Sequence, residues 1–114
     1  MQNLPENEFL SLLKTMYVHS RGMVALIETA KEKQTDFIQP VMTLLSSAQD
    51  ILIEEDTPSE ILEEINNLTI FCEAIHATLV LSNNVELNCL PILSNLLDCL
   101  MRTIETYLDR FGAV

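Results

Sequence analysis

Apolar residues recur along this chain at alternating steps of four and three, the spacing that stacks side chains on one face of an α-helix. Phe9, Leu13, Met16, Ser20, Met23, Ile27 and Ala30 form a first such stripe, widened by Leu10, Tyr17 and Val24 one residue on. Phe37, Val41, Leu44, Ala48 and Ile51 form a second, backed by Ile38, Leu45 and Leu52. Ile61, Ile65, Leu68, Cys72, Ile75 and Leu79 form a third, and Leu93, Leu97, Leu100, Ile104, Tyr107 and Phe111 a fourth.

The residues between the stripes mark where helices start and stop. Pro40 is tolerable only in a first turn, so the second helix starts near Asp36 or at Pro40 itself. In Thr57-Pro58-Ser59-Glu60, Thr57 is placed to cap, Pro58 to take the first helical position and Glu60 to return a bond to the cap. Ser82-Asn83-Asn84 reads as a turn, and Gly112 as a stop. Pro91 either starts the fourth helix or kinks one begun near Asn84. Gly22 lies inside the first helix at a cost of about 1 kcal/mol relative to alanine, which points to a close helix approach or a slight bend.

Short joins make each helix return beside the one before it. The pattern therefore predicts an all-α, antiparallel up-down four-helix bundle, with helices over about residues 7–32, 36–54, 58–82 and 85 or 91–111, in one domain spanning 1–114. Composition agrees. With 48% apolar and 20% charged residues the chain is far from the signature of disorder, and two glycines are too few for the turns of a β architecture.

Charge and candidate chemistry narrow the function classes. A net charge of −11 opposes direct binding to nucleic acid or to an anionic membrane, while a basic protein partner fits it. Met1-Gln2-Asn3-Leu4-Pro5-Glu6 shows no positive run before an apolar one, and no uninterrupted apolar stretch approaches eighteen residues, so the expected location is cytoplasmic, away from the membrane. Cys72, Cys89 and Cys99 are an odd set without CxxC spacing and read as thiols. Asn67-Leu68-Thr69 matches a glycosylation acceptor but falls mid-helix.

Glu73-x-x-His76 has the spacing used in di-metal bundles, but His19 has Met16 where the second pair needs a glutamate. Cys72 and His76 share a helix face, yet Cys72 belongs to the apolar seam and an acidic chain offers little to activate a thiol. There is no glycine-rich phosphate loop. No catalytic, metal or cofactor site is therefore expected, and the chain reads as a non-enzyme.

Two surfaces remain. Glu54, Glu55, Asp56, Glu60, Glu63 and Glu64 cluster at the turn between helices two and three, where the bundle also gathers Glu6, Glu8, Glu105 and Asp109, with Lys14, Arg102 and Arg110 as the nearby positive charges. The far pole, near Lys31, Lys33, Asp36 and Glu86, is more balanced. Apolar residues outside the seams are the second surface: Leu10, Leu12, Val18, Leu26, Ile53, Leu62, Ile70, Phe71, Val80, Leu81, Leu96 and Met101. Of these, Phe71, Ile70, Leu96 and Met101 are the candidates for self-association as a homodimer, with Phe71 taken as exposed.

The leading expectation is a non-enzymatic interaction module, a small regulator, adaptor or secretion-chaperone-like bundle that binds protein and pairs with itself. The runner-up is an acidic antagonist that fills the basic nucleic-acid groove of another protein, in the manner of phage anti-defence proteins and DNA mimics.

Overall fold

The computed structural model describes residues 7–30, 36–54, 57–82 and 89–110. They form α1 (Asn7–Ala30), α2 (Ile38–Leu52), α3 (Ser59–Ser82) and α4 (Cys89–Arg110). The expected continuations of the first helix to residue 32 and of the fourth to 85 and 111 fall outside the described residues.

Helix starts follow the local chemistry, with adjustments. α2 opens at Ile38, between the two expected starts, because the Asp36 carboxylate accepts the Ile38 N–H at 3.0 Å and the Phe37 carbonyl accepts the Val41 N–H at 3.0 Å. Pro40 is then the third helical residue, and Pro91 is the third described residue of α4. The Pro40 ring removes no intrahelical bond there, since first-turn amides have no partner within the helix.

Thr57 corrects the capping expectation. Its hydroxyl donates backwards, to the Ile51 carbonyl at 3.1 Å and the Glu54 carbonyl at 3.2 Å, and so serves the last turn of α2 instead of the first turn of α3. α3 starts one residue later than expected, at Ser59, with the Pro58 carbonyl accepting from the amides of Ile61 and Leu62. One small side chain thus closes the α2–α3 turn and fixes how α3 leaves it.

α1 packs against α2 and α4, and α3 packs against the same two, so the helices form a four-cornered ring. Their directions follow from particular contacts. Phe9, at the start of α1, meets Tyr107, near the end of α4, edge to face with centroids 6.0 Å apart. Glu60, at the start of α3, lies beside Tyr107 and Arg110. With Thr57 tying in the end of α2, the turn between α2 and α3 shares one pole with the start of α1 and the finish of α4. The bundle is an elongated rod of 52 × 24 × 18 Å.

Each seam residue whose side chain is described is buried: six on α1, five at Phe37 and along α2, six on α3 and five on α4. Leu13, Met16, Ile61, Ile65, Leu93, Leu97, Leu100 and Ile104 are almost wholly enclosed. Ser20 occupies its seam position with its hydroxyl buried and without a partner among the described residues.

Gly22 marks no close approach. It is exposed, and a Cβ built on it would meet nothing within 4 Å. Gly22→Ala is therefore expected to stabilise the protein by about 1 kcal/mol through helix propensity and a less flexible unfolded chain. A thermal melt should show the midpoint rising by about 4 °C.

Candidate interaction surface

Burial divides the apolar residues that lie off the seams. Leu10, Leu12, Leu26, Leu62, Phe71, Leu96 and Met101 are half-buried, whereas Val18, Ile53, Ile70, Val80 and Leu81 are exposed. Phe71, expected to be exposed, packs against the core together with Leu96. The reason is register. Glu64 on α3 accepts a 2.6 Å hydrogen bond from Thr103 on α4, and the two helices run in opposite directions. Seven residues on from Glu64 is Phe71, and seven back from Thr103 is Leu96, so both fall at one level of the α3–α4 seam.

What remains outside is concentrated on α3. Its outward face carries Ile70, Ala74, Ala77 and Leu81, all exposed, with Ile70 at 68% and Leu81 at 87%. Val80, 64% exposed, flanks this stripe, and Ile92, 51% exposed, lies one turn before Leu96 on α4. From Ala74 to Ser82 and from Cys89 to Leu97 there is no Asp, Glu, Lys or Arg. α3 is thus apolar on two opposite faces over its second half, and only one of them is covered. The other helices differ: α1 turns Ser11, Val18, Gly22 and Ala25 outward, and α2 exposes Met42, with Ile53 just beyond its end.

The residues of the expected acidic pole differ in exposure. Glu54 and Glu64 are half-buried, and Glu60 and Glu63 are exposed, as are Glu8, Glu105 and Asp109. Glu55 and Asp56 lie outside the described residues, as do Glu6, Lys31, Lys33 and Glu86. The carboxylates are not all presented to solvent. Glu64 is held by Thr103, and its other oxygen is buried without a partner among the described residues. Glu60 shares the lining of a surface cavity of about 250 Å³ with Arg102, Thr103, Thr106, Tyr107 and Arg110, which brings two arginines to the acidic pole. The threonine hydroxyls there are committed, Thr106 to the Arg102 carbonyl at 2.9 Å and Thr103 to Glu64.

Two further polar ties cross between helices. Tyr17 on α1 donates to Glu105 on α4 at 2.5 Å, and His19 on α1 meets Ser47 on α2 through Nδ1 and Oγ, also at 2.5 Å. The His19–Ser47 pair is the nearest thing to a nucleophile and base, and the stripes did not reveal it because Ser47 lies at the margin of its apolar face. Ser47 is buried, and among the described residues no carboxylate bonds to the ring to orient it, so the pair acts as a strut between α1 and α2. Cys72 is buried in the α3 seam, and burial pushes its thiol up to about 12, the reverse of what a nucleophile needs. Glu73 is exposed beside a half-buried His76, and no group of three His, Cys, Asp or Glu side chains is placed to hold a metal among the described residues. No described helix is long and apolar enough to cross a membrane.

Protein-family models, curated proteins and solved structures were compared with the chain, and none matches it.

Proposed function

We propose that this chain is a non-enzymatic protein-interaction module, a small cytoplasmic regulator or adaptor that works as a homodimer. The observation that carries the reading is the bare apolar face on α3. Exposed large apolar groups are unremarkable when scattered, but here Ile70, Val80 and Leu81 share one helix and are joined by two alanines, with the exposed Glu73 as the one charged residue from Ile70 to Ser82.

The test is the molar mass of the purified protein across a concentration series, for the natural chain and for Ile70→Glu. The natural chain is expected to move from the chain mass toward twice that mass as concentration rises through the micromolar range. Ile70 is exposed in the single copy, so the variant should keep its helical spectrum and melting temperature when dilute, while a charge forced into the contact weakens pairing at least about 100-fold. A natural chain that stays monomeric throughout would end the self-association reading.

Salt separates this from the acidic antagonist. Two copies carrying −11 each repel, so an apolar pairing tightens as salt is added, whereas a complex between the acidic pole and a basic groove loosens. The antagonist ranks second because Glu60 lies beside two arginines and Glu64 is tied to Thr103.

A further inference from the structure

The exposed stripe on α3 reads the same in both directions. Ile70, Ala74, Ala77 and Leu81 are spaced by four, three and four residues, large at the ends and small in the middle, symmetrically about the point between Ile75 and His76. A stripe built for an unrelated partner has no need of that symmetry. A twofold pair does, because whatever one copy offers at one end must fit what it offers at the other. We infer that two copies pair through α3 in antiparallel register about this point, with Ile70 of one copy against Leu81 of its partner and Ala74 against Ala77. This rests on the homodimer reading above and adds its geometry.

Two physical arguments favour the arrangement. The alanines let the two helix backbones come close at the crossing, and the large residues meet each other at the two ends of the contact. Electrostatics selects the direction. The symmetry point lies in the second half of α3, far from the acidic pole at Ser59, so at about 1.5 Å per residue antiparallel pairing leaves the two α3 starts about 50 Å apart. That is several times the screening length of about 8 Å at physiological salt, whereas parallel pairing would set the two acidic poles side by side.

Area sets the strength. The overlapping parts of α3 run about 20 Å, and with Ile92 on α4 the face is about two helices wide, a footprint on the order of 400 Å² per copy. That is about 800 Å² in all, the size of a weak, transient contact and short of a stable one, so the pair is not obligate and comes apart on dilution.

Disulfide trapping tests the register. The background carries Cys89→Ser and Cys99→Ser and leaves the buried Cys72 in place. In antiparallel pairing, residue 70 of each copy is about 16 Å along the axis from residue 70 of the other, and the same holds for residue 81. A disulfide needs Cα atoms within about 7 Å. Ile70→Cys alone and Leu81→Cys alone should therefore stay uncross-linked under oxidised glutathione, while an equimolar mixture gives a disulfide-linked heterodimer. A linked homodimer from either variant alone overturns the register. So does a mixture that fails to link while the natural chain is dimeric by molar mass, and in that case the homodimer reading survives.

A charge pair checks the same geometry without covalent chemistry. Ile70→Glu and Leu81→Lys should each weaken pairing alone, and mixing them should restore it at least about 10-fold, since the two new charges meet in the heterodimer. No recovery on mixing counts against the register.

Discussion

Leu97→Ala is expected to cost about 3 to 4 kcal/mol of folding stability. Leu97 is fully enclosed at the middle of α4, the helix that packs against both α1 and α3, and its neighbours at the same depth are the equally enclosed Leu93, Leu100 and Ile104. Alanine there loses the transfer free energy of the removed carbons and leaves a hole that rigid helices collapse into only partly. Against a total stability of about 5 to 15 kcal/mol for a domain this size, that is a large fraction, and the melting midpoint should fall by more than about 10 °C. Leu81→Ala changes the same atoms on a residue that is 87% exposed, and at a concentration where the protein is monomeric it should move stability by less than about 0.5 kcal/mol. Urea melts of the two variants make the comparison. Equal losses would mean that α3 does not face the way it does here, and the interaction face would lose its basis.

That contrast between two leucines shows what periodicity can and cannot reveal. The four-three stripes picked out the buried face of each helix because burial repeats at 3.6 residues, and a residue on the stripe has only one place to go. They could not say which flanking residues are bare. Phe71 and Ile70 are adjacent, both apolar and both off the seam, and only the Glu64–Thr103 register shows that the first fills the α3–α4 boundary while the second points away. The unusual feature of α3 was nonetheless present in the sequence as a second four-three stripe, Ile70, Ala74, Ala77 and Leu81, on the side opposite Ile75 and Leu79. Two of its members are alanines, which carry little hydrophobic weight, so periodicity alone gives this stripe no prominence.

Local polar chemistry was less legible for a different reason. Thr57 stands where a cap for α3 should be, but a hydroxyl can serve either of two flanking helices, and the sequence does not say which. The structure gives it to the carbonyls of Ile51 and Glu54. Gly22 likewise suggested a neighbour pressed against α1, yet it faces open space. Ser47 meets His19 across 28 residues, a pairing set by the α1–α2 packing and not by any spacing within either helix. The acidic cluster was plain from its residues, but its meaning depends on Arg102 and Arg110 arriving from α4 beside Glu60, a tertiary fact.

Stability should fall as pH rises above about 9, and the direction follows from three groups that hold their protons more tightly in the fold than in the open chain. The Cys72 thiol, ordinarily near 9.0, is pushed to about 12 by burial in the α3 seam. The Tyr17 phenol is raised chiefly by its hydrogen bond to Glu105, then by desolvation and by the Glu105 charge, with Arg21 opposing. The Tyr107 phenol is raised by burial, with Arg110 lowering it and Glu60 raising it further. For each, the raised value favours the protonated folded form, so the contribution is complete below the ordinary value and is lost as pH climbs through the folded one. Urea melts at stepped pH should show a plateau below about 9 and a decline above it, and Cys72→Ala should remove the cysteine's share of the slope. Alkylation reads the same burial directly. At pH 8 a thiol raised to about 12 is ionised in about one molecule in 10⁴, against about one in ten at the ordinary value of 9.0, so native Cys72 should react about 1,000-fold more slowly than in denaturant. Exposed Cys99 should be modified first, as peptide mass spectrometry would show. A native protein in which Cys72 reacts as fast as Cys99 would mean that the seam opens or the thiol is activated, and either result would return this residue to the list of candidate nucleophiles.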